Sequence, residues 1–191
     1  MTTSEGEVIK KLDFFVEDYV NFIQQDGAGM VRPLTQTKNK IFFNKYLYVL
    51  SRNGRDIFVY TSKGDLVKIL QIAINGVKIT NSDKEKITSA EKKPKFLRLI
   101  RTIGFPDKKP AVYDIIVDDQ YRIWLKKGDT FGKPKSEVRE YTYMIISKEG
   151  QYLSDQLLPI DLTAVKGNNA YGFTTTEDDL RIFKKLELFQ K

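Results

Sequence analysis

A chain of 191 residues, 41% hydrophobic and 30% charged, has enough apolar material for a sizeable core and too much for global disorder. It contains neither cysteine nor histidine, which excludes disulfides, Cys/His zinc sites, cysteine nucleophiles and Ser-His-Asp triads within the chain. The net charge of +7 is concentrated in residues 84–109, where nine cations stand against three carboxylates, an excess of six. No apolar run reaches the roughly 18 residues that a membrane-spanning helix needs, and the first residues, Met1 to Glu7, lack the basic head and apolar core of an export signal.

Residues 4–25 support two patterns. Val8, Leu12, Phe15, Tyr19 and Ile23 recur at helical spacing, with Ser4 and Glu7 as a capping box and Asp26-Gly27 as a stop. Against this, Ser4-Glu5-Gly6-Glu7-Val8-Ile9-Lys10-Lys11-Leu12 repeats Ser62-Lys63-Gly64-Asp65-Leu66-Val67-Lys68-Ile69-Leu70, and Ser147 to Leu153 repeats it more loosely. Each copy is a Gly-containing turn followed by an apolar strand. The second pattern is preferred for residues 4–12, so helix is expected only within residues 13–25 and in a later insert.

Residues 30–70 read as one β unit: Met30–Thr35, Lys40–Phe43, Tyr46–Leu50, a turn around Asn53-Gly54, then Ile57–Tyr60 and Leu66–Leu70. Residues 71–109 interrupt the rhythm. Asn81-Ser82-Asp83 is expected to cap a charged helix over 84–92 that Pro94 ends. Residues 110–158 form the central unit, in which Pro110 to Asp119, Tyr121 to Leu125 and Glu140 to Leu153 hold three or four short β runs separated by Asp-Asp, Gly-Asp and Glu-Gly turns. Residues 159–191 form the last, with strands at Asp161–Val165, Ala170–Thr174 and Leu180–Phe189. The fold class is all-β: antiparallel meanders with a charged helical insert near residues 81–95, in irregular units of a size found in propeller blades.

Three features resemble the bacterial six-bladed β-propellers, a group related to NHL-repeat propellers. They are Ile57-Phe58-Val59-Tyr60-Thr61-Ser62-Lys63-Gly64-Asp65-Leu66, then Lys109 to Asp119 leading into Arg122-Ile123-Trp124-Leu125, and the charged insert before that unit. Gln120-Tyr121 stands where the family pattern has Gly. The resemblance implies about three blades over residues 40–188, and an exported or envelope setting for many relatives. Three blades form an open arc, whose strand edges invite pairing, so the expectation is either a piece of a longer protein or two copies that complete one ring by self-association.

Among candidate sites, Asp118-Asp119 is an acidic pair suited to Ca²⁺, with Asp114, Asp178 and Asp179 further off, yet adjacent Asp residues at a strand end are first of all turn formers. Lys92, Lys93, Lys95, Arg98 and Arg101 are the candidate phosphate-binding residues, and a solvated charged surface is the competing reading. Trp124, Tyr143 and Phe58 are assigned to structural packing. Tyr46/Tyr48, Tyr141/Tyr143 and Tyr171/Phe173, each two residues apart, are placed on one sheet face. There is no Walker loop or dinucleotide fingerprint, and no cofactor is called for. The expected function is a non-catalytic module presenting loops to a protein, glycan or small-molecule ligand. The alternatives are a nucleic-acid-binding protein using residues 84–109 and, more weakly, a carboxylate hydrolase.

Overall fold

The computed structural model describes residues 20–24, 27–31, 40–43, 45–51, 54–90, 105, 107–109, 111–128, 138, 140–178 and 180–188. The described chain is mostly β, built from antiparallel meanders. Strands β1 (Val20–Gln24) and β2 (Gly27–Val31) form a hairpin. Strands β3 (Lys40–Phe43), β4 (Tyr46–Leu50), β5 (Asp56–Thr61) and β6 (Leu66–Gln71) form the first four-stranded sheet, in chain order. Strands β7 (Val112–Val117), β8 (Ile123–Lys127), β9 (Tyr141–Ile146) and β10 (Tyr152–Leu158) form the second. Strands β11 (Asp161–Lys166), β12 (Asn169–Thr175) and β13 (Arg181–Glu187) form the third.

Over Val20–Gln24, hairpin β1–β2 corrects the helix expected within residues 13–25; residues 13–19 lie outside the described residues. Val20, Phe22 and Ile23 are β-branched or aromatic, and a partner strand with Gly29 opposite Phe22 lets that preference prevail over the helical spacing. The expected outer strand at residues 7–12 lies outside the described residues.

The three larger sheets stack in layers. Tyr48, Leu50, Ile57, Val59 and Leu70 of the first sheet pack against Val112, Ile115, Val117, Ile123, Leu125, Met144 and Ile146 of the second. The second sheet's other face, with Ile116, Trp124, Tyr141, Tyr143 and Ile145, packs against Leu162, Val165 and Ala170 of the third. Both faces of the second sheet are therefore buried, which is why β8 and β9 read as continuous apolar runs rather than alternating ones. The first strands of successive sheets touch, β3 with β7 and β7 with β11.

Helix α1 (Asn81–Ala90) begins three residues before the expected start, because Thr80 is its cap. The Asp83 amide donates to Thr80 Oγ1 (3.1 Å), while Asp83 Oδ2 accepts from the Thr80 amide (2.9 Å) and hydroxyl (2.8 Å). The bonds between Thr80 and Asp83 run in both directions and close a reciprocal capping box there. The two ends of the insert pair with each other: the Ile79 amide donates to Asp107 O (3.0 Å) and the Lys109 amide to Val77 O (2.7 Å). Gly76 permits this approach, since a Cβ there would lie 2.0 Å from Lys109 O.

Candidate functional site

One turn recurs along the chain. At Thr61, the residue's own amide donates to Asp65 O (2.9 Å), its carbonyl accepts from the Gly64 amide (3.0 Å), and its hydroxyl accepts from the Lys63 and Asp65 amides (both 3.2 Å). Ser147 makes the same four bonds to Gln151, Gly150 and Glu149, at 2.8–3.2 Å. The fourth residue of each turn is left-handed, Gly64 at φ 86° and Gly150 at φ 89°. Such a turn asks for Gly, because a Cβ there crowds the following carbonyl.

The β7–β8 turn is built the same way with other residues. The Asp118 amide donates to Arg122 O and its carbonyl accepts from the Tyr121 amide, both at 3.0 Å. Asp118 Oδ1 takes the place of the hydroxyl, accepting from the amides of Gln120 (3.0 Å) and Arg122 (2.8 Å). Tyr121 holds the left-handed position, at φ 61°. The apparent departure of Gln120-Tyr121 from a Gly pattern is thus a bulky residue forced into a Gly conformation.

Asp118 does more than shape the turn. Its Oδ2 accepts from Arg122 Nε (2.6 Å) and Trp124 Nε1 (2.9 Å), and the residue is fully buried. Each carboxylate oxygen already holds two donors, which leaves no acceptor site toward a cation. Asp119 points elsewhere: both its oxygens accept from the Gly167 amide (2.9 and 3.0 Å), clasping the β11–β12 turn of the next sheet. Asp114 Oδ1 accepts from the Ile115 amide (2.9 Å). The acidic pair is therefore divided between two structural tasks. Among the described residues no group of three or more carboxylates could hold a metal ion.

Around this turn lies a tyrosine cluster. Tyr48 is buried between the first and second sheets, with Tyr46 packed beside that core. Burial pushes the Tyr48 phenol up, and the nearby phenols of Tyr121 and then Tyr46 add to the shift. Sequence spacing paired Tyr46 with Tyr48; the approach of Tyr121 depends on how the two sheets pack.

The other singled-out residues take structural places. Trp124 is buried, edge-on to Tyr143 at 6.5 Å between ring centroids. Tyr143 is also buried, and its hydroxyl accepts from the Leu162 amide (2.8 Å), joining the second sheet to the third. Phe58 is half-buried on the first sheet's outer face, stacked on Tyr60 at 6.5 Å and packed against Leu47 and Val49. Tyr171 and Phe173 share a face with Phe183, at 6.4 and 5.4 Å. Lys92, Lys93, Lys95, Arg98 and Arg101, with Asp179, lie outside the described residues.

Two ion pairs had no mark in the sequence. Buried Lys126 of β8 meets Asp161 of β11 at 2.5 Å, its ammonium 4.1 Å from the Tyr141 ring centre. Lys109 meets Asp83 at 2.7 Å, and this hydrogen bond, with those from Thr80, overcomes partial burial and holds the carboxyl at about 2. The partners are 35 and 26 residues apart, beyond any local pattern. Among the described residues no helix is long and apolar enough to cross a membrane. Comparison of the chain with protein-family models and with curated proteins finds no match.

Proposed function

We propose that this protein is a non-catalytic, propeller-type binding or scaffold module that presents the β7–β8 turn and its tyrosine surroundings to a protein, glycan or small-molecule ligand. The observation that carries the reading is Tyr121 at φ 61°, in a turn whose other copies use Gly64 and Gly150. A left-handed conformation costs an L-residue about 1–2 kcal/mol. Strain of this kind persists where a side chain is needed at that spot. The carboxylates nearest this turn are spent on structure, which favours recognition over acid–base chemistry. The propeller-type arrangement is supported by the consecutive meanders packed face to face, with β3, β7 and β11 touching in series. Self-association across open strand edges belongs to the same reading.

Binding of the full chain to an array of soluble oligosaccharides and peptides tests this. The expected result is a hit that Tyr121→Gly abolishes while the melting temperature is held or rises. A hit indifferent to Tyr121→Gly, or turnover of the bound glycan, overturns the proposal. The concentration of cations in residues 84–109 favours one second reading, phosphate-backbone binding through Lys92, Lys93, Lys95, Arg98 and Arg101. On the first reading, single-stranded DNA binds weakly and is released near physiological salt. Micromolar binding that survives there, and is lost when Lys92, Lys93 and Lys95 are changed to Glu, establishes the second.

A further inference from the structure

The turn that carries Tyr121 commits its acceptors to the fold and leaves donors over. Asp118 uses both carboxylate oxygens within its own turn and on Trp124, and Asp119 uses both on the Gly167 amide. Arg122 is held by one end. Its Nε donates to Asp118 Oδ2 (2.6 Å), its guanidinium stands 5.9 Å from the Trp124 ring centre, and its side chain is 25% exposed. Among the described residues no acceptor is bonded to its two terminal nitrogens. A guanidinium fixed at Nε and open at the far edge is a pre-set fork for a planar carboxylate, which accepts two parallel N–H bonds.

The neighbouring turns add charge of the same sign. In a meander each strand reverses the last, so the turns after the first and third strands fall at one end of the sheet. The Asp119 clasp joins that end of the second sheet to the third, and the bond from Lys68 Nζ to Lys148 O, with the approach of Tyr121 to Tyr48, joins it to the first. Each of the five turns brings one cation: Lys45, Lys63, Arg122, Lys148 and Lys166, the four lysines being exposed. Their carboxylates are Asp65, Asp118, Asp119 and Glu149, and the middle two already hold protein donors.

We propose that the ligand of this end is an acidic oligosaccharide, one whose sugar rings bear carboxylates. Arg122 is the bidentate anchor for one carboxylate, and Tyr121 is the stacking surface for the ring that bears it. This rests on the reading of Tyr121 as the presented residue. An aromatic face is negative, so it attracts the C–H face of a sugar ring. A carboxylate fixed on that ring reaches the fork without ordering a flexible chain, whereas an acidic peptide loses side-chain freedom on docking. The four lysines supply a longer-range attraction that salt screens.

Calorimetric titration of the full chain with oligogalacturonate and with its methyl ester tests this, since the ester keeps the sugar and removes the charge. The acid form is expected to bind, and the ester to bind about tenfold more weakly or worse, the scale for losing a charge-assisted hydrogen bond. Arg122→Lys keeps the cation but not the fork, and a similar loss is expected. If that variant also melts lower, the ester comparison on the parent chain still decides. Lys45→Gln combined with Lys166→Gln should make the affinity less sensitive to salt. No binding of oligogalacturonate, or equal affinity for the ester, overturns the proposal. Should a peptide or a neutral sugar bind instead, and Tyr121→Gly abolish it, the acidic sugar is wrong and the role of Tyr121 stands. Binding of the acid form that is indifferent to Tyr121→Gly overturns both.

Discussion

Asp118 and Tyr121 stand three residues apart in one turn and pull in opposite directions. The carboxylate satisfies four N–H groups and anchors Trp124 to its own turn. In Asp118→Asn the amide cannot accept at both positions and presents N–H to donors. Chemical denaturation is expected to show a loss of about 2–3 kcal/mol, the scale for charge-assisted bonds broken inside a protein. Tyr121→Gly relieves left-handed strain of about 1 kcal/mol, offset in part by the greater freedom of unfolded Gly. Its melting temperature should equal or exceed that of the parent. A marked fall would mean that the ring's contacts outweigh the strain.

At the scale of elements, the insert is anchored at its base. Thr80 caps α1, Asp83 closes the capping box, and Lys109 joins Asp83 from the returning segment. Asp83 sits at about 2 in the folded protein against 3.8 for an ordinary Asp. A depressed carboxylate stabilises the fold only while ionised, because the unfolded chain takes up the proton first. Its contribution is therefore complete above about pH 4 and disappears as the pH falls toward 2. Asp83→Asn should flatten that part of the acid-unfolding profile while far-ultraviolet circular dichroism continues to report strand. The edge of α1 was misplaced because four consecutive residues, Thr80 to Asp83, can all cap; only the reciprocal bond separates them.

At the scale of the molecule, stability lies between sheets. Lys126 crosses from the second sheet to Asp161 of the third with its charge buried. Removing one partner of such a pair costs about 3–5 kcal/mol, whereas replacing both by neutral groups costs far less. Asp161→Asn is expected to fall near the low end of that range, since Asp161 is partly exposed. Lys126→Met in the same chain should restore most of the loss, as measured by equilibrium denaturation. Failure of the double variant to recover would place the interaction's value in geometry rather than in charge compensation.

Most of the strands were legible in the chain itself. Period-two runs of β-branched and aromatic residues, broken by turns such as Thr61–Asp65 and Ser147–Gln151, locate β4 to β8 and β11 to β13 within about two residues because those signals are local, whereas β10 runs on to Leu158, five residues past the apolar run that marks it. What the residues do was not legible. Asp118 and Asp119 read as an acidic pair until the packing sent one carboxylate to Trp124 and the other to Gly167. The strand over Val20–Gln24 needed its partner, Gly27–Val31, to prevail over a helical spacing. Tyr121 looked like a misplaced residue in a Gly pattern, and only the β7–β8 turn showed the strain it bears. Local propensity sets where a strand can begin and end. Which faces meet, which charges pair and which residue is strained are decided when distant segments compete for the same space.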